Sequence, residues 1–163
     1  MKIISGGQTG IDRAALDVAI NLGLSHGGWC PSGRKAEDGS IDAVYQLQET
    51  ATSEYSCRTK WNVRDAEATL ILYRGDLEGG TAYTITCAKR LQKPCLVINL
   101  AHPPDNQKII EWLNENSINR LNIAGPRESK QPGIYQEAYD FLLMLLSDIT
   151  SATEGTENTE KYK

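Results

Sequence analysis

The sequence is poor in the residues that usually build metal sites and nucleic-acid surfaces. Its 163 residues include only two histidines, four cysteines and one phenylalanine. The cysteines form no CxxC pair, and His26 and His102 lie far apart, which argues against a zinc site. The formal net charge is −4. An acidic chain with few aromatic residues does not favour nucleic-acid binding.

The sequence also lacks long hydrophobic runs. None approaches the roughly 20 apolar residues that span a bilayer, and no basic segment followed by an apolar run marks a signal peptide. With 40% hydrophobic residues, the composition is that of an ordinary globular domain. We therefore expect a cytoplasmic protein with reduced thiols, and we interpret Cys30 and Cys57 as buried structural residues.

Short apolar segments alternate with helical patterns along the chain. This alternation predicts an α/β domain in which about five mainly parallel strands are joined by crossover helices. The strands are predicted at residues 2–5, 28–30, 69–73, 95–100 and 120–124. The domain is predicted to span residues 1–150. The polar tail at residues 151–163 has almost nothing to bury, so we expect it to be mobile.

Helices are predicted in the intervening segments. The first carries a wide apolar stripe from Ile11 to Leu22. A second precedes the third strand and places Arg58, Asn62 and Asp65 on one face, which suits either solvent or a ligand. Others are predicted from Gly80 or Thr81 to about Gln92, after the prolines 103–104, and after residues 132–133.

Glycine-rich and polar loops follow four of the five predicted strands. The carboxyl ends of parallel strands meet at one edge of a sheet, where ligands bind. The first loop, GGQTG, precedes a helix. Its glycines allow the main chain to approach a ligand closely, and the start of the helix offers free N–H groups. An anion is the expected ligand. The loop matches neither a Walker motif nor G-x-G-x-x-G, and a tight turn without a ligand is the alternative.

The candidate binding residues all lie on this predicted rim. A second GGT sequence at another helix start offers a similar anion site, and nearby basic residues could neutralise phosphate charge. Nearby carboxylates at Glu37, Asp38 and Glu78 could act as bases or pair with the arginines. The predicted ligand-binding residues are Gly6, Gly7, Gln8, Thr9, Gly10, Arg34, Lys35, Gly79, Gly80, Thr81, Arg127, Glu128 and Ser129. Because a loop adds little core, replacing Gly7 by valine is expected to abolish binding and to spare stability.

Five blocks of the chain resemble the family of molybdenum carrier proteins, from Lys2 to about Leu146. They are ISGGQTGIDRAALDVAI, HGGWCPSGRKAEDG, RTKWNVRDAEATLIL, LEGGTAYTITCAKRLQKPCLVI and LNIAGPRESKQPGIYQEA. The resemblance implies a Rossmann-like three-layer α/β/α fold, shared with the lysine-decarboxylase-like (LOG) proteins. It also implies binding of the molybdenum cofactor, a molybdopterin phosphate, and assembly into a homo-oligomer, a dimer or tetramer. Molybdoenzymes would then receive the cofactor. Glu128 and Ser129 are expected to bond polar edges of its ring system.

Two related groups supply alternatives. LOG phosphoribohydrolases carry the motif P-G-G-x-G-T-x-x-E, whereas Thr84 stands here at the glutamate position and the preceding Pro-Gly-Gly is absent. The missing carboxylate weakens the hydrolase interpretation, although Glu78 could substitute. The first loop and helix resemble those of DNA-processing proteins. Binding of single-stranded DNA, however, needs a basic groove with stacking aromatic residues. We therefore predict a binding protein rather than an enzyme.

Overall fold

The computed structural model describes residues 1–160, which form nine strands and five helices. In chain order these are β1 (Lys2–Ile4), α1 (Ile11–Asn21), β2 (Ser25–Gly27), β3 (Trp29–Cys30), β4 (Lys35–Ala36), β5 (Gly39–Ser40), β6 (Gln48–Glu49), α2 (Tyr55–Asp65), β7 (Ala68–Tyr73), α3 (Gly79–Arg90), β8 (Cys95–Asn99), α4 (Asn106–Glu115), β9 (Arg120–Ala124) and α5 (Ile134–Glu160).

The main sheet has five parallel strands in the order β2-β1-β9-β7-β8. The connection from β1 to β2 and the connection from β7 to β8 lead towards opposite edges of this sheet. An open parallel sheet with such a reversal has a crevice at the carboxyl ends of its strands. The predicted α/β fold with about five parallel strands is confirmed.

The second predicted strand was placed wrongly. The edge strand that pairs with β1 is Ser25–Gly27, not residues 28–30. Gly28, with a φ of 135°, turns the chain out of the sheet, and Trp29–Cys30 pairs instead with β6. The side chain of Asn62 holds the diverted segment, because it bonds both the N–H and the carbonyl of Trp29.

Two packed layers of helices cover the sheet. The larger core lies between the sheet and α1, α4 and α5, with Ile11, Ile109 and Leu142 fully or almost fully buried. On the opposite face, α2 and α3 pack through a smaller cluster that includes Val63 and Ala88. Helix α1 is buried along most of its length, as its wide apolar stripe predicts.

Helix α5 continues beyond the predicted end of the domain at residue 150. It runs to Glu160, so the first ten residues of the predicted polar tail are helical. Residues 161–163 lie outside the described part of the chain, and mobility of the tail stays a prediction. Within residues 1–160, no helix combines the length and the apolarity that crossing a membrane requires.

The loop after β1 and the loop after β9 approach each other at Gly10. A Cβ atom on Gly10 would lie 2.4 Å from the carbonyl oxygen of Pro126 and 2.8 Å from the nitrogen of Glu128. The φ angle of Gly10 is also positive, at 76°. Glycine is therefore required here both by the backbone conformation and by the neighbouring main chain.

Replacing Gly10 by alanine is expected to destabilise the fold more than replacing Gly23. Both glycines have positive φ angles, but a Cβ atom on Gly23 would meet nothing within 4 Å. Gly23→Ala should cost about 1 kcal/mol of unfolding free energy from backbone strain, and Gly10→Ala about 1–3 kcal/mol more from overpacking. Urea unfolding of both variants measures the difference. Equal losses would contradict the close approach of the two loops.

Candidate functional site

A cavity of about 760 Å³ lies at the carboxyl ends of the central strands. The first loop contributes Gly6 and Gln8, and the start of α3 contributes Gly79, Gly80 and Thr81. The two glycine-rich turns therefore open onto one shared cavity. The other lining residues are Asp12, Tyr55, Ser56, Arg58, Thr59, Asn62, Arg74, Gly75, Asp76, Glu78, Tyr83, Thr84, Asn122, Ala124, Gly125, Pro126, Arg127, Lys130 and Gln131.

Several amides of the first loop are already paired within the protein. Asp12, in the first turn, accepts a hydrogen bond of 3.3 Å from the N–H of Gln8. The N–H of Ile11 donates to the carbonyl of Pro126 at 3.3 Å, and the N–H of Thr9 donates to the side-chain oxygen of Gln8. These amides are thus not free for a ligand anion. A phosphate bound by the first loop would have to use other groups, and its binding there stays a prediction.

Asp12 forms a buried ion pair with Arg58 of α2. Their side chains are 8% and 11% exposed, and Arg58 Nη1 lies 3.0 Å from the carboxylate. Burial raises the pKa of Asp12, while the charge of Arg58 and the N–H of Gln8 oppose this shift. Gly6 makes room for the guanidinium, since a Cβ atom on Gly6 would lie 1.8 Å from Arg58 Nη1. The pair therefore forms one wall of the cavity.

The start of α3 is open by comparison. Gly79 and Gly80 are exposed, and a Cβ atom on either would meet nothing within 4 Å. The N-cap residue Glu78 makes no side-chain capping bond. The first N–H groups of a helix without a side-chain cap attract negative charge. Neither helix start has a side-chain cap, so the start of α3 differs from that of α1 by its exposure.

Three basic side chains line the cavity, namely Arg74, Arg127 and Lys130. Arg74 also pairs with Glu137 at 2.7 Å, and Arg127 Nε lies 3.5 Å from Glu37. Arg127 was among the predicted binding residues. Arg74 and Lys130 were missed, because single basic residues in loops resemble solvated surface charges.

Arg34 and Lys35 do not line the cavity. The guanidinium of Arg34 donates to the carbonyl groups of residues 41, 42, 45 and 47 and so holds together the connection between β5 and β6. The Nζ atom of Lys35 lies 5.4 Å from the ring centre of Tyr55. The predicted role of Arg34 in charge neutralisation is not supported, since four carbonyl groups already use its donors.

Glu128 and Ser129 make contacts within the protein instead of facing the cavity. Glu128 accepts hydrogen bonds from the N–H groups of Gly133 and Tyr135, which begin α5. The hydroxyl of Ser129 donates to Glu37 at 2.5 Å. Both residues thus have structural partners outside the cavity, and their contacts with a ring system stay a prediction.

Glu37 joins the β4–β5 hairpin to the loops after β1 and β9. It accepts hydrogen bonds from the hydroxyls of Thr9 and Ser129 and lies beside Arg127. Burial raises the pKa of Glu37, but the hydrogen bonds and the arginine charge outweigh this effect, so its pKa lies below the usual glutamate value. Glu37 therefore fixes the hairpin to the rim as a carboxylate.

Gly7 also lies outside the lining, and the valine test proposed from the sequence fails on structural grounds. Gly7 has a φ of 76°, and a Cβ atom there would lie 2.6 Å from Leu47 Cδ1. Valine would strain the backbone and clash with the loop core, so stability would fall. Binding loss in that variant would not report on a ligand contact.

The sequence pattern identified some of the α2 residues that line the cavity. The spacing of Arg58 and Asn62 predicted one helix face, and both line the cavity. Asp65, on the same predicted face, instead accepts a hydrogen bond from the indole of Trp29 at 2.7 Å. Asp12 was missed, although a carboxylate in the first helical turn is a recognisable partner for helix-start amides.

Thiols and carboxylates do not form a metal centre in the described chain. Residues 1–152, whose side chains the structure describes, contain no group of three or more His, Cys, Asp or Glu side chains that could hold a metal ion. All four cysteines are free, and Cys30 is buried, which raises the pKa of its thiol.

The fold and the cavity together define a Rossmann-like α/β domain with a cavity at the carboxyl edge of its sheet, where ligands bind in such folds. The chain belongs to the Circularly permutated YpsA SLOG family, whose model matches residues 3–146. It is similar to the crystal structure of a candidate molybdenum carrier protein from Syntrophus aciditrophicus SB. The two are 50% identical, with a TM-score of 0.85, over 89% of this chain and 94% of the other. No curated protein matches the sequence.

Replacing Asp12 by asparagine is expected to destabilise the protein by about 3 kcal/mol near neutral pH. The variant leaves the Arg58 charge buried without a counter-charge. The control is Glu137→Gln, which breaks the Arg74 pair, where both side chains are about 40% exposed; it should cost less than about 1 kcal/mol. Chemical denaturation of both variants gives the comparison. Equal losses would contradict a structural role for the buried pair.

Replacing Glu37 by glutamine is expected to cost about 1 kcal/mol near neutral pH, because a neutral amide accepts weaker hydrogen bonds. The folded pKa of Glu37 is lowered, so its contribution is complete above the unfolded pKa and disappears as the pH falls through the folded pKa. Unfolding free energies measured from about pH 7 to about pH 3 should therefore converge for wild type and variant.

The control for this titration is Glu111→Gln on the exposed side of α4, which should show only a small effect at any pH. A stability difference for Glu37→Gln that persists unchanged at the lowest pH would contradict the assignment.

Proposed function

We propose that the chain binds a phosphate-bearing, nucleotide-like ligand in the cavity at the carboxyl edge of the sheet, and that it carries this ligand rather than transforming it. The observation that carries the proposal is the shared cavity between the first loop and the start of α3. Its volume of about 760 Å³ is within the range of cofactor sites, which is roughly 300–1,000 Å³.

The phosphate is assigned to the α3 end of the cavity. There the exposed backbone at Gly79 and Gly80 and the hydroxyl-bearing Thr81 line the same cavity as the basic residues Arg127 and Lys130. A helix start that lacks a side-chain cap, with basic side chains nearby, is a suitable site for a dianion. Asp76 and Glu78 at the same end favour a ligand that also has hydroxyl groups, which donate to carboxylates.

The residue at position 84 favours a ligand-carrying function over a hydrolase function. Thr84 is buried, and its hydroxyl donates to the carbonyl of Gly80 within α3 at 2.8 Å. It therefore supplies no carboxylate of the kind that a phosphoribohydrolase would need. Glu78 lines the cavity and is the group through which a hydrolase activity would have to work.

The cargo proposed for the cavity is the molybdenum cofactor, a molybdopterin phosphate. The support is the candidate molybdenum carrier protein that is 50% identical to this chain. The cavity would hold the organic part and its phosphate, with molybdenum delivered as part of the cargo. On this proposal the protein acts in the cytoplasm as a homo-oligomer and passes the cofactor to molybdoenzymes.

Protein purified without oxygen from cells that make the cofactor should carry molybdenum and a bound pterin phosphate. Native mass spectrometry and elemental analysis measure the two together. The variant Gly80→Asp should lose most of the bound ligand, because its carboxylate would repel the phosphate. The isosteric Gly80→Asn is the control. Both side chains enter open space, so both variants should fold.

Equal loading of the aspartate and asparagine variants would contradict the phosphate assignment. Absence of molybdenum and of any pterin from wild type would contradict the carrier function. Release of free base from nucleoside monophosphates by the purified protein, lost in Glu78→Gln, would instead establish the hydrolase.

A further inference from the structure

The side chain of Asn122 faces the cavity from the surface of the main sheet. Asn122 belongs to β9, where Leu121 and Ile123 on either side of it are part of the core formed with α1, α4 and α5. Side chains alternate along a strand, so the side chain of Asn122 lies on the opposite face of the sheet, against α2 and α3. The cavity is on this same face, since residues of α2 and α3 line it, and Asn122 lines it with them.

The protein uses only one half of the Asn122 amide. The Nδ2 atom donates to the hydroxyl of Thr69 at 3.2 Å, and no described residue donates to the Oδ1 atom. In residues 1–152, Arg58 Nε is the only side-chain nitrogen or oxygen that is both inaccessible and unpaired. Asn122 Oδ1 is therefore accessible. The whole residue is only 2% exposed and lines the cavity, so the cavity is the place from which this oxygen is reached.

A second buried amide in the cavity lining has the opposite polarity. Gln8 is 7% exposed, and its Oε1 atom accepts hydrogen bonds from the N–H groups of Thr9 and Glu37 at 3.0 and 2.9 Å. These bonds fix the amide and leave Nε2 as a donor without a protein partner, which is accessible by the same argument. Buried polar groups are normally hydrogen-bonded. The two uncharged amides therefore suit a ligand that has both a donor and an acceptor.

The phosphate of the ligand does not suit Asn122. A phosphate dianion and an amide oxygen are both acceptors, so they would repel each other at this position. The exposed start of α3 is the better site for the phosphate. Hydroxyl groups of the ligand have the carboxylates of Asp76 and Glu78 as acceptors. The part of the ligand that remains for Asn122 is its heterocycle.

We infer that Asn122 is a specificity-determining residue, whose Oδ1 atom accepts a hydrogen bond from an N–H group on the edge of the ligand's heterocycle. This inference rests on the proposed binding of a phosphate-bearing, nucleotide-like ligand. The class of ligand is a heterocycle with a ring N–H or an amino group beside an acceptor. Guanine and pterins share such an edge, in which a ring N–H lies between an amino group and a carbonyl. A ring whose edge has acceptors alone would leave Oδ1 unpaired.

Calorimetric titrations with guanosine 5′-monophosphate, purine riboside 5′-monophosphate and inorganic phosphate test the inference. The two nucleotides share sugar and phosphate, but unsubstituted purine has no N–H donor. Wild type should bind the guanine nucleotide about tenfold more tightly, as one additional buried hydrogen bond allows. Asn122→Leu replaces the amide by an apolar group of similar size. It should abolish most of this preference and leave the affinity for phosphate unchanged.

The matched control is Thr69→Val, which removes the internal hydrogen bond of Asn122 but keeps its oxygen. Thr69 is fully buried and does not line the cavity, so this variant should retain the preference of wild type. Thermal unfolding checks that each variant is folded. If Asn122→Leu does not fold, Asn122→Ala, which also lacks the acceptor, takes its place.

Equal affinities of wild type for the two nucleotides would overturn the inference, as would an unchanged preference in the folded Asn122 variant. An equal loss of preference in Thr69→Val would also overturn it, because the effect would then come from the internal hydrogen bond. So would a fall in phosphate affinity in Asn122→Leu, since the amide would then contact the phosphate. Binding of phosphate without any gain from guanine overturns the inference and leaves the proposed function standing. Failure of all three probes to bind overturns both.

Discussion

The buried ion pair between Asp12 and Arg58 connects the two helical layers across the carboxyl end of the sheet. Helix α1 packs on one face and α2 on the other, and the pair joins them at a separation of 3.0 Å beside Gly6. The first loop lies between them, so its shape depends on this contact. Buried charges of this kind are maintained only when each has its counter-charge. The position of the cavity wall follows from that constraint.

The two glycine-rich turns consequently have different roles. At the start of α1 the negative charge is supplied by Asp12, and the turn is closed by contacts within the protein. At the start of α3 the backbone is exposed and has no side-chain cap. The charge of Arg58 is thus balanced at one end of the cavity, whereas the other end exposes a helix start. On the proposed function, this asymmetry would orient the ligand with its charged group towards α3.

The sequence was sufficient for the architecture because hydrophobic periodicity identifies buried strands and helices directly. It failed at Gly28, where a glycine turns the chain out of the main sheet and an asparagine from α2 holds the diverted strand. It located both glycine-rich turns at one cavity, but it could not show which amides were already paired. Arg34, Glu128 and Ser129 illustrate the same limit. Main-chain groups are the partners of Arg34 and Glu128, and the Glu37 carboxylate is the partner of Ser129; only the folded chain brings them near.

The contacts of Arg34 have a consequence for how the connection between residues 34 and 47 behaves. This stretch has little regular structure, yet one guanidinium binds four of its carbonyl groups. Since the four contacts share one side chain, loss of the Arg34 guanidinium would remove all of them at once. We therefore expect the segment to open locally as one unit. A stretch whose regular structure is only the short β4–β5 hairpin thus gains a common anchor.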